Sequence, residues 1–290
     1  MNETIEQPII VYMRDILRRC IEEDVGLEGD VTTKSIIPVG QQGCYVINVR
    51  GIGTISGLNP IAEVIEEFGD FTLEMFYQDG DEVKSNNIAL LQGQVRDILI
   101  VERSILNVLG YASGIATRTK KFVDAVSGTD CTVCDTRKTT PGLRLLDKYA
   151  VTCGGGTSHR MGLHDAALYK DNHLAGMEDV VSELGAAISR VKENNSLQFV
   201  EVEVDTLAQL KKVLLLPVDI ILLDNMSLEM LREAVSLRDA AQTSPLLEAS
   251  GGVTLETVRS IAETGVDRIS IGGLVHQATW IDIGLDSIDG

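Results

Sequence analysis

The chain has 290 residues, 44% of them hydrophobic, and a formal charge of −18 at pH 7. That length allows two domains or one large α/β domain with a sizeable core. So acidic a surface repels phosphate backbones, which excludes a nucleic-acid-binding face but leaves room for a small anion in a local basic cavity. No apolar run reaches the ~18 residues of a membrane span, so no membrane partner is expected. The first residues carry no basic stretch leading into an apolar segment and a cleavage site, so the expected location is cytoplasmic. An odd number of cysteines, five, fits a reducing compartment. Cys131 and Cys134 form a C-x-x-C. Residues three apart on a strand face opposite ways, so core packing is the reading rather than redox chemistry or zinc.

Ile9, Met13, Ile16, Leu17, Cys20 and Ile21 fall at helical spacing, which predicts a helix over 8–22. The stretch EDVGLEGDVTTKSIIP is rich in turn residues. Strand-like runs follow in GCYVINVRG, FTLEMFYQDGD and IALLQGQVRD, with NPIAEVIEEFG between them as a helix that has Pro60 near its first turn. The rhythm of DEVKSNNIALLQG resembles small β-sandwich carrier domains, as sheet architecture only. Residues 98–126 read as helical, broken near Gly110 or Gly114.

From residue 131 the pattern becomes regular. Strands at CTVCD, AALYKD, QFVEVEV, DIILLD, LLEAS and RISIG alternate with helices, which argues a parallel sheet. A closed or nearly closed barrel fits better than an open doubly wound sheet, because every strand end carries a polar or glycine-rich cluster. The fold class is therefore α/β: an N-terminal α+β domain, then a closed or nearly closed α/β barrel.

The strand ends hold the candidate chemistry. Three of the four histidines lie between His159 and His173, and six Lys or Arg but only two Asp lie between Arg137 and Lys170. Arg137, Lys138, His159, Arg160 and Lys170 form one cationic set. Arginine forks match carboxylate or phosphate two-pronged, so the set suits a substrate with several negative charges. In FVEVEVD, Val200, Val202 and Val204 share one face. Glu201, Glu203 and Asp205 share the other and would face the barrel interior, where the cations balance them. Glu203 and Asp224 are the expected ligand-contacting acids. Ser250, Gly251 and Gly252, and then Ile271, Gly272 and Gly273, close the last two strands. Loops of this kind let backbone N–H groups approach a phosphate.

DTRKTTPGLR, HR after GGGTS, KDNH, EVEV, LLDN, EASGG and SIGG resemble the quinolinate phosphoribosyltransferase family. The likeness extends to EDVGLEGDVTT and ERSILNVLGYASGIAT, nearly the whole chain. Tyr169, His164 and Val275 depart from the usual residues at their positions. The resemblance implies phosphoribosyl transfer from phosphoribosyl pyrophosphate (PRPP) to quinolinate with decarboxylation, giving nicotinate mononucleotide, pyrophosphate and CO2. It implies an N-terminal α+β sandwich domain over 1–113, an incomplete, six- to seven-stranded α/β barrel over 114–273, and a tail over 274–290 that returns to the first domain. It also implies a homodimer, or a hexamer built from dimers, in which Arg103 enters the neighbour's site. Arg103, Arg137, His159 and Arg160 would hold the pyridine carboxylates. Lys138 and Lys170 would meet carboxylate and pyrophosphate, with Thr139 beside them. Glu203 and Asp224 would hold the ribose hydroxyls, and the glycine loops the 5′-phosphate. Lys138, Lys170, Glu203 and Asp224 would be the catalytic set. Mg2+ would ride on the PRPP pyrophosphate, with no dedicated protein ligands. Three rival readings are a Schiff-base lyase using Lys170, a transferase acting on another compound, and a non-catalytic anion sensor.

Overall fold

A computed structural model describes residues 3–174, 176–177, 179–193, 197–241 and 243–288. Among the described residues there are twelve strands. The first five are β1 (Gln42–Val49), β2 (Ile52–Thr54), β3 (Phe71–Met75), β4 (Glu82–Lys84) and β5 (Asn87–Gln94). Then come β6 (Thr132–Cys134), β7 (Ala167–Tyr169), β8 (Val200–Val204), β9 (Ile220–Asp224), β10 (Leu246–Ser250), β11 (Arg268–Ser270) and β12 (Ile283–Ser287). The chain forms two compact units: residues 1–120, 140–155 and 274–290, and residues 121–139 and 156–273.

The first unit is built on a four-stranded antiparallel sheet in the order β12-β1-β5-β3, with β2 and β4 as a separate pair. β12 comes from the chain's last residues and pairs with β1 from Tyr45↔Ser287 to Val49↔Ile283. The opening helix runs Glu3–Val25, longer than its apolar stripe predicts, and Ile9, Met13, Ile16 and Leu17 are all buried. The turn-rich stretch after it contains a short helix, Val31–Ile36, because Asp30 accepts the Thr33 N–H at 2.9 Å and caps it.

The helix Val95–Ala125 is not broken at Gly110 or Gly114, contrary to expectation. Both glycines serve close approach instead. A Cβ on Gly110 would sit 2.8 Å from the Ile281 carbonyl oxygen, and one on Gly114 would collide with that of Thr279. A bare glycine lets the returning tail lie against the helix, and the cost in helix propensity is recovered by packing. By length and composition this helix is apolar enough to cross a membrane, but 67% of its most apolar window is buried inside the protein.

The sequence boundary at 113/114 falls inside that helix. Residues 114–120 and 140–155 belong to the first unit, although the helix Arg144–Cys153 follows the first barrel strand. Side-chain bonds explain this. Tyr149 donates to Asp79 at 2.6 Å, Tyr111 donates to Asp147, and Tyr12 donates to the Gly142 carbonyl.

The second unit is a six-stranded parallel sheet in the order β6-β11-β10-β9-β8-β7. Its first strand pairs with its last, from Arg268↔Thr132 to Ser270↔Cys134. All the other strands follow in chain order, so β6 and β7 are the two edges, the arrangement of an incomplete barrel. Among the described residues the seam between β6 and β7 carries no ladder, only a parallel bridge between Cys134 and Thr157. β8 alternates as read from the sequence: Val200, Val202 and Val204 are buried on one face, with Glu201 and Glu203 on the other.

Candidate active site at the strand ends

Parallel strands present all their C-terminal ends on one rim. Lys170 lies one residue past β7, Glu203 is next to last in β8, and Asp224 and Ser250 end β9 and β10. Arg137 lies three residues past β6 and Ile271 one past β11.

The cations divide between the units. Arg144 and Lys148 lie in the first, whereas Arg137, Lys138, Arg160 and Lys170 all lie in the second. Arg160 is only 7% exposed, and its guanidinium donates to the Ala166 carbonyl at 3.2 Å. Burial holds its pKa down, and the nearby charge of Arg137 lowers it further, while Glu201 and Asp165 oppose this. Two guanidinium groups brought together on an acidic protein make a site shaped for an anion. Lys138 is exposed, and its stem arches over Gly272, where an added Cβ would lie 2.7 Å from the Lys138 Cδ. The Thr136 hydroxyl accepts the Lys138 N–H at 3.0 Å and turns the chain there, and the Thr139 hydroxyl faces the Arg137 carbonyl at 3.5 Å.

The pairing of Tyr169 with Val202 puts Lys170 beside Glu203, and the two form an ion pair. His173 fixes the strand end below them, its Nδ1 accepting the Lys170 N–H at 3.0 Å. Arg103, in the first unit, is an exposed helix residue with Glu102 at 3.7 Å.

At β9 and β10 the backbone enters the left-handed region three times, at Asn225 (φ 52°), Gly251 (φ 101°) and Gly252 (φ 59°). Asn225 tolerates this because its short amide bonds locally. Its Nδ2 donates to the Asp224 carboxylate at 2.7 Å, and its backbone N–H donates to the Ser250 carbonyl at 2.9 Å. A Cβ on Gly251 would collide with the Asn225 carboxamide. Sequence reasoning placed Asp224 and the glycines but missed the asparagine between them; the signal was the LLDN motif itself. Asp165 was missed as well. Its carboxylate accepts the N–H groups of Met161 (2.7 Å) and Gly162 (2.9 Å) and shapes the loop after Arg160. Ile271 is buried, so only its backbone is on offer to a ligand.

Beneath the rim lies a charged core. Glu201 and Glu248 are both 0% exposed. The Nε2 of His159 lies 3.1 Å from Glu201 and 3.4 Å from Glu248, and Arg268 Nε lies 2.9 Å from Glu248. Phe199 walls the cluster, edge-on to His159 at 5.3 Å and beneath the Arg268 guanidinium at 5.8 Å. Both ring nitrogens of His159 face protein groups, because Nδ1 accepts the Arg160 N–H at 2.8 Å. His159, read as a carboxylate-binding residue, accepts the Arg160 N–H and lies near the two glutamates. Burial alone disfavours an imidazolium. The two carboxylates outweigh burial and push its pKa up to about 9. Burial raises the Glu201 carboxyl, whereas His159 and Arg268 overcome burial to lower that of Glu248.

His159, Glu201 and Glu248 also place ligand atoms within 4.8 Å of one another. Arg268 already answers one carboxylate, and the cluster is sealed from the rim, which does not fit a hydrated hard cation. At the rim Asp224 stays half exposed, so the residues fit a Mg2+ that arrives on a substrate and keeps its waters. Cys131 and Cys134 are buried, and burial pushes both thiols up to about 12, as packing residues rather than redox ones.

Residues 115–286 match the profile of the quinolinate phosphoribosyl transferase C-terminal domain, and residues 30–113 that of the N-terminal domain. The nicotinate-nucleotide pyrophosphorylase (carboxylating) of Mycobacterium leprae is 42% identical over 277 residues, 94% of this chain and 96% of its own. A probable enzyme of the same name from Methanocaldococcus jannaschii is 38% identical, over 96% of this chain and 98% of its own. The crystal structure of nicotinate-nucleotide pyrophosphorylase from Ehrlichia chaffeensis superposes with a TM-score of 0.84 at 39% identity, covering 94% of this chain and 97% of the other.

Proposed function

The chain belongs to the quinolinate phosphoribosyltransferase family, and on that premise we propose that the barrel rim joins quinolinate to the phosphoribosyl group of PRPP. The products are nicotinate mononucleotide, pyrophosphate and CO2. The observations that support this reading are that the charge of Arg137 acts on Arg160 and that Lys170 pairs with Glu203 at the strand ends of the same sheet. Together they provide cations for a dicarboxylate and an acid for a sugar.

Arg137 and Arg160 receive the pyridine carboxylates and orient the ring nitrogen toward the ribose carbon. Lys138 and Lys170 face the pyrophosphate as it departs. As the C1′–O bond breaks, positive charge grows on the ribose carbon, and the Glu203 and Asp224 carboxylates, which hold its hydroxyls, favour that charge. The ring nitrogen donates its pair to C1′ and becomes a pyridinium. The bond from C2 to its carboxylate then breaks, leaving its electron pair on C2 beside the cationic nitrogen, and CO2 departs. A proton then takes the vacated position on C2. No protein nucleophile is required. Ser250, Gly251 and Gly252, with the backbone of Ile271, Gly272 and Gly273, offer N–H groups to the 5′-phosphate. Mg2+ on the pyrophosphate would neutralise the leaving group.

Arg103 is assigned to a neighbouring subunit's site in a homodimer, or in a hexamer of dimers, which its 61% side-chain exposure supports. We assign the enzyme to the cytoplasm, in keeping with an odd number of cysteines, five. The test is incubation with quinolinate, PRPP and Mg2+, following CO2 and nicotinate mononucleotide. Absence of both, with folded protein, overturns the assignment.

A further inference from the structure

We propose that Asp135 is a positioning residue for the anion site: by holding the N–H of His159 it fixes the spacing of Arg137 and Arg160, and so favours a ligand with two adjacent carboxylates over one with a single carboxylate. This deepens the quinolinate reading above and rests on it.

Like charges do not gather unaided. Arg137 and Arg160 lie close enough for the charge of one to lower the pKa of the other, so the chain segments that carry them must be held together. Arg137 lies three residues past β6, and Arg160 lies between the helix Arg144–Cys153 and β7. The two segments meet at the barrel seam, where residues 157–159 run parallel to the end of β6. Thr157 donates its N–H to the Val133 carbonyl at 2.8 Å, and its carbonyl accepts the N–H of Asp135 at 3.2 Å. Those backbone bonds are open to almost any residue at 135. A further bond depends on the side chain: Asp135 Oδ1 accepts the His159 N–H at 2.8 Å. Asp135 is 0% exposed and His159 8% exposed, so an N–H deprived of this acceptor has no water to turn to.

Asp135 stands two residues before Arg137, and His159 one before Arg160. At most about 7 Å of chain runs from the bond to either arginine, too little to absorb a shift at the bond. Both sides are stiffened further. The Thr136 hydroxyl accepts the Lys138 N–H at 3.0 Å, and the Arg160 N–H donates to His159 Nδ1 at 2.8 Å. The spacing of two guanidinium forks matters only to a ligand that fills both. A single carboxylate can use one fork wherever the other stands, whereas carboxylates on neighbouring ring atoms need both at once.

The test is calorimetric titration of quinolinate, and of nicotinate with its one carboxylate, into the full chain without PRPP. Asp135→Ala should lower quinolinate affinity roughly tenfold and leave nicotinate within about threefold of the parent, so the preference for quinolinate shrinks. Asp135→Asn keeps a carbonyl oxygen for the His159 N–H and should retain the parent's affinities. A merely destabilising substitution lowers the fraction of competent protein but not the ratio of two ligands' affinities. An unchanged preference in Asp135→Ala overturns the proposal. An equal loss in Asp135→Asn does so too, because charge rather than the hydrogen bond would then be at work. If Asp135→Ala does not fold, Asp135→Asn still decides: parental quinolinate affinity supports the proposal, and a roughly tenfold loss refutes it. Amide hydrogen exchange on the ligand-free chain should find the His159 N–H protected in the parent and in Asp135→Asn, and released in Asp135→Ala. Protection in a parent that binds no quinolinate would mark a failure of the functional reading; quinolinate binding without that protection, a failure of this one.

Discussion

Asn225 offers a way to measure what the β9 end contributes, because its backbone and its side chain can be perturbed separately. Glycine at 225 keeps the left-handed φ of 52° without strain but removes the amide that donates to Asp224 at 2.7 Å. A hydrogen bond to a charged acceptor contributes ~1.5–3 kcal/mol when buried. Asn225 is exposed and Asp224 half buried, so about 1 kcal/mol is the reasonable figure here, equivalent to about fivefold in PRPP affinity. Aspartate at 225 also tolerates the left-handed region, but it swaps the donor for a second carboxylate. Like charges about 4 Å apart repel by ~1 kcal/mol even at the dielectric of water. Asn225→Asp should therefore weaken PRPP by a further fivefold or more, to about thirtyfold in total. Calorimetric titration of PRPP into each variant reads this directly, with thermal melts to show that both are folded. The expected order is parent, then glycine, then aspartate. If the aspartate variant binds as tightly as the glycine variant, the amide does not hold the Asp224 carboxylate in the ligated state, and the argument fails.

Arg137→Ala or Lys170→Ala should lower quinolinate turnover by orders of magnitude with melting temperature little changed; near-normal rates would remove either residue from the site. Arg103→Ala, inactive alone, should regain partial activity when co-folded with Lys170→Ala subunits, since a mixed dimer rebuilds one intact site; hybrids as inactive as their parents count against a shared site. Asp165 gives a pH signature. Burial opposes ionisation of its carboxyl, but the N–H groups of Met161 and Gly162 prevail and hold its pKa below the ordinary value. Its contribution is therefore present above the unfolded carboxyl's pKa and is lost as pH falls through the folded one. Denaturant melts should show the parent losing its advantage over Asp165→Asn on acidification; a constant difference between the two would contradict the shift.

The barrel was legible because its signals are local and repeated. Alternation in FVEVEVD fixes which face of β8 turns inward, and Glu201 is found there at 0% exposure. The unbroken helix was not legible. Gly110 and Gly114 look like breaks until the Ile281 and Thr279 carbonyls are seen against them, and that contact joins residues more than a hundred positions apart. The helix Arg144–Cys153 went the same way. Its place in the βα alternation assigns it to the barrel, while Tyr149, Asp147 and the Gly142 carbonyl bond it into the first unit. Periodicity names the element but not the partner it packs on.

The site shows a similar division, for an electrostatic reason. Sequence placed the cations and acids on one rim, since strand ends are readable. It could not rank them, since a residue's role depends on what its polar atoms already hold. Lys170 and Glu203 are strand neighbours and answer each other at the rim, where a polyanion with a ribose can separate them. Glu201 lies two residues below Glu203 on the same face, and there the local demand reverses. No water reaches it, so it must be matched by protein, and His159 is the group beside it. A single alternating strand thus supplies one acid at the rim, proposed for ligand, and one in the core, distinguished only by depth. Moving the pattern inward by one pleat would bury Glu203 and strand Lys170 at the rim without its partner.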